Sequence, residues 1–402
     1  MALRDLRGDG RGWTLLAIAS GWVFVLGGRF LVPAVLPQVK ATFGISDAGA
    51  GVAITIIWAA YGLMQSPGGL LIDRLGERRL LTGSLLLTAA SVVFLGAAPA
   101  FLAFLVGCGI FGLATGLYGP ARGTALSRTF PDHDGTAIGA TLAAGSLGSA
   151  ILPLAAGSLV ETYSWRLIVG SLGVPLLIGA VLVWRTVPGT GGGAVGTAPR
   201  QRVSDLLDAL RGRGVGIAIV ATTLMTFAFQ GVSAFLVTYL VSVKDLAQPT
   251  AAAIFSLMFI SGGVAQLASG SLADRFGDRP VLVGVAATNI PVLAAIPFVD
   301  SVVLVALVSL LIGVRLGITS VSNAYIIAVL PDRVTGTAWG ALRTISFMLA
   351  AGGSTFVGTM ADAALFDEAF LLLAVLTAVA AVLYTQLPSR AAARAAAADT
   401  SG

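Results

Sequence analysis

Gly69-Leu70-Leu71-Ile72-Asp73-Arg74-Leu75-Gly76-Glu77-Arg78-Arg79 and Gly270-Ser271-Leu272-Ala273-Asp274-Arg275-Phe276-Gly277-Asp278-Arg279-Pro280 are two copies of one pattern, 201 residues apart in a chain of 402. Each copy is a polar island between long apolar runs. Breaking the chain at charged or Pro/Gly-punctuated points gives twelve such runs, near 13–39, 49–72, 80–98, 101–121, 137–160, 167–187, 215–243, 249–272, 281–299, 302–324, 337–361 and 369–387. A bilayer crossing takes about 20 apolar residues, so every run is long enough. Hydrocarbon offers the backbone no partner, and runs without strict alternation satisfy it as helices rather than barrel strands. The fold class is therefore all-α, a polytopic membrane protein with twelve transmembrane helices in two pseudo-symmetric six-helix bundles.

Composition agrees. Apolar residues make up 56% of the chain and charged residues 11%, whereas soluble domains carry about 25% charged, which excludes an ordinary soluble enzyme. Cys108 is the one cysteine and lies in an apolar run, so neither a disulfide framework nor a thiolate metal cluster is available. The run from Trp13 follows Arg4, Arg7 and Arg11 like a signal peptide, but no small-residue cleavage site closes it, and it reads as a retained first span.

The basic pI, near 9.8, comes from loops. Eighteen of the 24 basic residues fall on the side of the N-terminus, among them Arg74, Arg78, Arg79, Arg122, Arg128, Arg185, Arg275 and Arg279. Lys40, Arg166 and Lys244 fall on the other side, and Arg29, Arg315 and Arg343 fall within runs. The positive-inside rule makes both termini cytoplasmic, in a cell membrane. Nucleic acid is not an expected partner; the lipid bilayer is. The expected division is a bundle over 1–187, a cytoplasmic linker and surface helix over 188–214, a second bundle over 215–388 and a tail over 389–402. Val203, Leu206, Leu207 and Leu210 are spaced as the apolar face of that surface helix.

The repeated island resembles the signature G-x-L-a-D-R-x-G-R-R of the major facilitator superfamily. Gly69, Asp73, Arg74, Gly76, Arg78 and Arg79 match it, with Glu77 at one basic position, and Gly270, Asp274, Arg275 and Gly277 form the second copy. Gly76 suits a tight turn. The resemblance implies a cytoplasmic latch that holds the outward-open state; the plainer reading is that the arginines only enforce topology. A second family signature, in helix 5, is partly met by Gly148, Pro153 and Gly157. A helix-4 signature arginine would fall at Cys108 and is missing.

The acidic residues can all be placed in loops or at interfaces, and the one histidine, His133, sits in a loop. The buried charge is therefore positive. An arginine at a span centre costs about 2.5–3.5 kcal/mol on insertion scales, and a guanidinium facing a cavity binds carboxylate or phosphate bidentately. Arg29, within Gly28-Arg29-Phe30-Leu31-Val32-Pro33, resembles helix 1 of the family's organic-anion and sugar-acid branches, where an arginine contacts a substrate carboxylate; Gly28 stands where those branches carry an aspartate. Gln230 is its counterpart at the repeat offset. Arg29 and Arg315 read either as substrate ligands or as structural residues bonded to helix carbonyls, and Arg343 as snorkelling or as part of the latch. Trp58, Tyr61 and Gln65 form a stripe on the second run, with Gln266 the counterpart of Gln65; the stripe lines a cavity or packs helices.

These readings favour a secondary transporter that moves a small anionic solute by alternating access, as a monomer and without a cofactor or metal. An exporter of hydrophobic or cationic compounds is the alternative. The spans hold no His/Glu cluster, Ser-His pair or paired aspartates for an enzyme, and no Walker loop for ATP.

Overall fold

The computed structural model describes residues 10–189, 213–330, 335–390 and 392. The expected surface helix, Arg4, Arg7, Arg333 and nearly all of the tail lie outside the described residues.

The first half runs through α1 (Arg11–Ala34), α2 (Leu36–Phe43), α3 (Asp47–Leu63), α4 (Gln65–Leu75), α5 (Glu77–Ala97), α6 (Phe101–Thr129), α7 (Asp134–Leu159), α8 (Trp165–Ser171) and α9 (Gly173–Thr186). The second half runs through α10 (Arg213–Ser242), α11 (Gln248–Phe276), α12 (Asp278–Ala295), α13 (Val302–Gly313), α14 (Leu316–Val329), α15 (Thr335–Asp362) and α16 (Phe366–Thr385). Among the described residues 11 helices are long and apolar enough to cross a membrane, and α3 with α4 makes a twelfth, bent by 46°. No strand occurs among the described residues. One face carries the turns at Gly76 and Gly277 and the start of α1; it is called the terminal face below.

Two expectations need adjusting. The second run is not one straight span. Pro67 lacks an N–H and its ring crowds the carbonyl four residues back, which is that of Leu63, where α3 ends. The repeated pattern is also hardly a loop: Asp73-Arg74 and Asp274-Arg275 occupy the last turns of α4 and α11, and the chain reverses at Gly76 (φ 76°) and Gly277 (φ 89°) alone. A residue with a Cβ is strained at such φ, so both copies use the same glycine.

The halves meet mainly along α3 with α15 and α7 with α11. The 201-residue repeat exchanges these two pairs. Backbones approach closely there: a Cβ on Gly51 would collide with the Ser354 carbonyl, and one on Gly157 with the Ala252 side chain. Helix association in lipid depends on such small-residue packing. Gly148 serves the same end against Val23 of α1.

Hydrogen bonds between the halves cluster near the face opposite the termini. Asp362 at the end of α15 accepts from the N–H groups of Asp47 (2.8 Å) and Ala48 (2.9 Å) at the start of α3. Deeper in, the Thr55 hydroxyl donates to the Ala351 carbonyl at 2.8 Å, and Gln248 Nε2 donates to the Ala34 carbonyl at 2.6 Å. Lys40 pairs with Asp47 beside this contact.

Candidate functional site

A cavity of about 210 Å³ lies between the halves. Its lining comes from residues 22–30 of α1, Trp58 and Tyr61 of α3, 142–149 of α7, 219–230 of α10, Phe259 and Gln266 of α11, 315–326 at α14 and 339–347 of α15. These positions occupy the span centres and the halves nearer the terminal face, with Phe30, Trp58 and Phe259 at the far end. Rings from both halves close that end: Phe30 meets Phe259 at 4.4 Å, Trp58 at 5.5 Å and Phe229 at 6.2 Å between centroids. Phe347 of α15 stacks on Trp58 at 6.5 Å. The cavity is thus sealed from the opposite face by an aromatic layer and, beyond it, by the polar contacts at Thr55 and Asp362.

Arg29, 1% exposed, projects from α1 with its guanidinium carbon 4.1 Å from the Tyr61 ring centre and 4.8 Å from that of Trp58. Its Nε and Nη2 have no hydrogen-bond partner among the described residues. Arg315 enters from the other half, 4.3 Å from the centre of Phe229, and donates from Nη2 to the Thr226 hydroxyl at 3.3 Å, with Nε unpartnered among the described residues. It sits where α13 gives way to α14 through bonds of the tighter i to i−3 type, Arg315 N–H to Ile312 and Ile318 N–H to Arg315. Such a 3₁₀ interruption often marks a functional position. A guanidinium over aromatic rings gains about 2 kcal/mol when desolvated, which offsets part of its burial cost. Among the described residues the lining contains no Asp, Glu or His, so none of them neutralises these charges.

Several expected residues converge here. Arg29, Trp58, Tyr61, Gln230, Gln266, Arg315 and Arg343 all line the cavity. Gln230 is 1% exposed, with Oε1 unpartnered among the described residues. Arg343 lies 5.6 Å from the Phe347 ring centre and 6.0 Å from that of Trp339, inside the cavity rather than on the surface of the repeated turn. Gln65 does not join the lining. Its Nε2 reaches back toward the Tyr61 carbonyl at 3.5 Å, because the bend at Met64 turns the residues after it off the face of Trp58 and Tyr61.

Arg122 corrects the reading of the fourth loop. It lies within α6, seven residues before the helix ends at Thr129, with its guanidinium 4.5 Å from the Trp22 ring centre and Nε and Nη1 unpartnered among the described residues. The interior arginines therefore number four among the described residues. Thr222, Thr226, Thr319 and Asn323 also line the cavity, at four-residue spacing from Gln230 or Arg315, a register visible in the sequence. Elsewhere Asp73, Arg74, Arg79, Asp274 and Arg275 are exposed, and Arg78 stacks on Trp184 at 4.6 Å. Gly69 and Gly270 have open space where a Cβ would stand. Among the described residues no cluster of His, Cys, Asp or Glu could hold a metal.

The Major Facilitator Superfamily model matches residues 18–354 and 248–400. The chain belongs to this superfamily. It is a multi-pass membrane transporter, not an enzyme. The cis,cis-muconate transport protein of Acinetobacter baylyi is 24% identical over 350 residues, 84% of each chain. The puromycin resistance protein pur8 of Streptomyces alboniger is 29% identical over 180 residues, 44% of this chain, which spans only 36% of that protein's length. Among solved structures, a bacterial homologue of the human lysosomal transporter Spinster, in an inward-facing and unoccupied conformation, aligns with a TM-score of 0.79 at 17% identity, covering 97% of this chain and 98% of that one. That likeness concerns the fold.

Proposed function

We propose that this superfamily member moves a small anionic solute across a plasma membrane by alternating access, binding it through Arg29, Gln230 and Arg315 with Trp58, Tyr61 and Gln266 around it. The observation that carries the reading is that guanidiniums from both halves face one cavity with N–H donors unpartnered among the described residues and no carboxylate in the lining. Buried donors without acceptors are costly, and an anion supplies acceptors and charge together. The moving units are the bundles over 1–187 and 215–388, joined by the 188–214 connector, with both termini cytoplasmic and the protein acting as a monomer. With the cavity on the terminal side of the aromatic layer, the state is inward-facing. Asp73-Arg74 and Asp274-Arg275 then stand apart as the open half of a cytoplasmic latch that engages in the outward-facing state, with Gly76 and Gly277 setting its turns. The name of the muconate relative fits a carboxylate substrate.

Ligand-dependent thermal unfolding of the detergent-purified protein tests the reading. A ligand of the folded state at a hundredfold excess over Kd adds about 2.7 kcal/mol. Carboxylates or phosphates are expected to stabilise the wild type and not Arg29→Gln. The competing reading, an exporter of hydrophobic compounds, draws on the aromatic lining and on the name of the pur8 relative. Stabilisation by lipophilic cations alone, unchanged in Arg29→Gln, would replace the anion reading with it.

A further inference from the structure

The four interior arginines are not one cluster. Arg29 interacts electrostatically with Arg343, and Arg122 with both. Arg29 and Arg122 also share the Trp22 ring, at 5.6 Å and 4.5 Å. Arg315 stands apart in the other half, against Phe229 and bonded to Thr226. Between the two lies a band of rings: Phe229 meets Phe30, and Phe30 meets Trp58, against which Arg29 packs. Each pole is thus cationic and the wall between them is aromatic.

Charge and shape together constrain the ligand further. A monoanion seated at Arg29 leaves the guanidinium of Arg315 facing the cavity without an acceptor for its Nε. Arg29 and Arg315 pack on different rings, and Arg315 is not among the charges that act on Arg29, so two separate anionic groups match them better than one carboxylate. A ligand with a second negative group at a distance satisfies both, and its middle must be apolar to lie against Phe30, Trp58 and Phe229. The lining runs from Arg29 and Trp58 of one half to Arg315 and Thr319 of the other, which suits an elongated molecule.

We propose that the preferred substrate is a dianion with its charges at the two ends of an apolar middle, one end held by Arg29 within the Arg122 and Arg343 field and the other by Arg315 with Thr226. The proposal rests on the anion reading and narrows it. The ends are carboxylates or phosphates.

The test uses the full-length purified protein with matched probes at neutral pH: hexanoate against adipate, benzoate against terephthalate, and the straight dicarboxylates from malonate to suberate. In the wild type, adipate is expected to bind at least tenfold tighter than hexanoate and terephthalate than benzoate, with affinity peaking at an intermediate chain length. Arg315→Gln is expected to weaken the dianions at least tenfold and the monoanions by less, so that the preference for adipate over hexanoate and for terephthalate over benzoate is lost. Equal affinity for monoanions and dianions, a flat length profile, or an equal loss of both classes in Arg315→Gln overturns the two-pole site and leaves the anion reading standing. Binding of no probe, with stabilisation by lipophilic cations, ends the anion reading itself. The length profile needs only the wild type, so a misfolded variant does not protect the proposal.

Discussion

Replacing Asp362 by Asn should loosen the closed face without disturbing either half. The Asp362 carboxylate accepts two backbone N–H bonds, at 2.8 and 2.9 Å, from the first turn of α3. It therefore combines hydrogen bonds with charge at a helix N-terminus, where a negative group contributes about 0.3–1 kcal/mol at an exposed site. Hydrogen bonds to charged groups contribute roughly 1.5–3 kcal/mol net, but Asp362 is solvent-exposed, which favours the low end. Asn keeps one acceptor oxygen, so the expected loss is about 0.7–1.4 kcal/mol. Since 1.4 kcal/mol is a factor of ten, the population with this face open should rise roughly three- to tenfold. The chain suits a thiol assay, because its single cysteine, Cys108, is 0% exposed. Ala351→Cys, on α15 behind the aromatic layer and also 0% exposed, provides a reporter that a bulky maleimide reaches when the halves part at that face. With fast opening and closing, the labelling rate follows the open population. A rate in Asp362→Asn within twofold of the parent would refute the view that this contact biases the two states.

Three further outcomes are expected. Gly51→Val drives a branched side chain into the Ser354 backbone; overpacking of this kind costs about 1–3 kcal/mol, and because the clash lies between the halves it should speed labelling at Ala351→Cys more than it lowers the melting temperature. Phe259→Ala removes a ring that contacts Phe30, Phe229 and Phe255, at a cost of about 3–5 kcal/mol as a buried aromatic, and should let small maleimides reach the same reporter; undiminished protection would show that the aromatic layer is not the seal. Arg390, bidentate to Asp278 at 2.6 and 2.7 Å, is held above its ordinary pKa chiefly by that hydrogen bonding. A raised folded-state pKa gives a contribution fully present below the unfolded value and lost only as pH rises through the folded one. Arg390→Gln should therefore lower stability by about 1 kcal/mol or less, given its 41% exposed side chain, with a melting difference that does not change between pH 6 and 9.

How much of this was visible in the sequence depended on how strongly the bilayer enforces it. Span positions and the matching turns at Gly76 and Gly277 could be read directly, because long apolar runs and a glycine at positive φ have few alternatives. Arg29 and Arg315 stood out because charge is rare where it is expensive. Their meeting in one cavity is a property of the packing between halves, on which single spans are silent. Arg122 was misread because the run 101–121 was ended at its charge, whereas α6 continues past it to Thr129. Pro67 had the opposite effect, since one bend moved Gln65 off a stripe that looked continuous. The threonines at 222, 226 and 319 were overlooked because a hydroxyl can bond back to its own helix, as Thr226 does to the Thr222 carbonyl at 2.8 Å, and so carries little signal of a polar wall.

The carboxylate-free lining also bears on energetics across the membrane. Arginines stay with the protein and keep their protons, so an anion bound to them crosses with its own charge and no compensating proton from the wall. One elementary charge moved through 100 mV is worth about 2.3 kcal/mol, so a dianion carried alone does about 4.6 kcal/mol of electrical work per 100 mV, equivalent to a concentration ratio of roughly two thousandfold. An interior-negative potential pushes that load outward. On the proposed dianion reading that potential drives export, and accumulation inward requires a cation or a counter-moving anion in the same cycle.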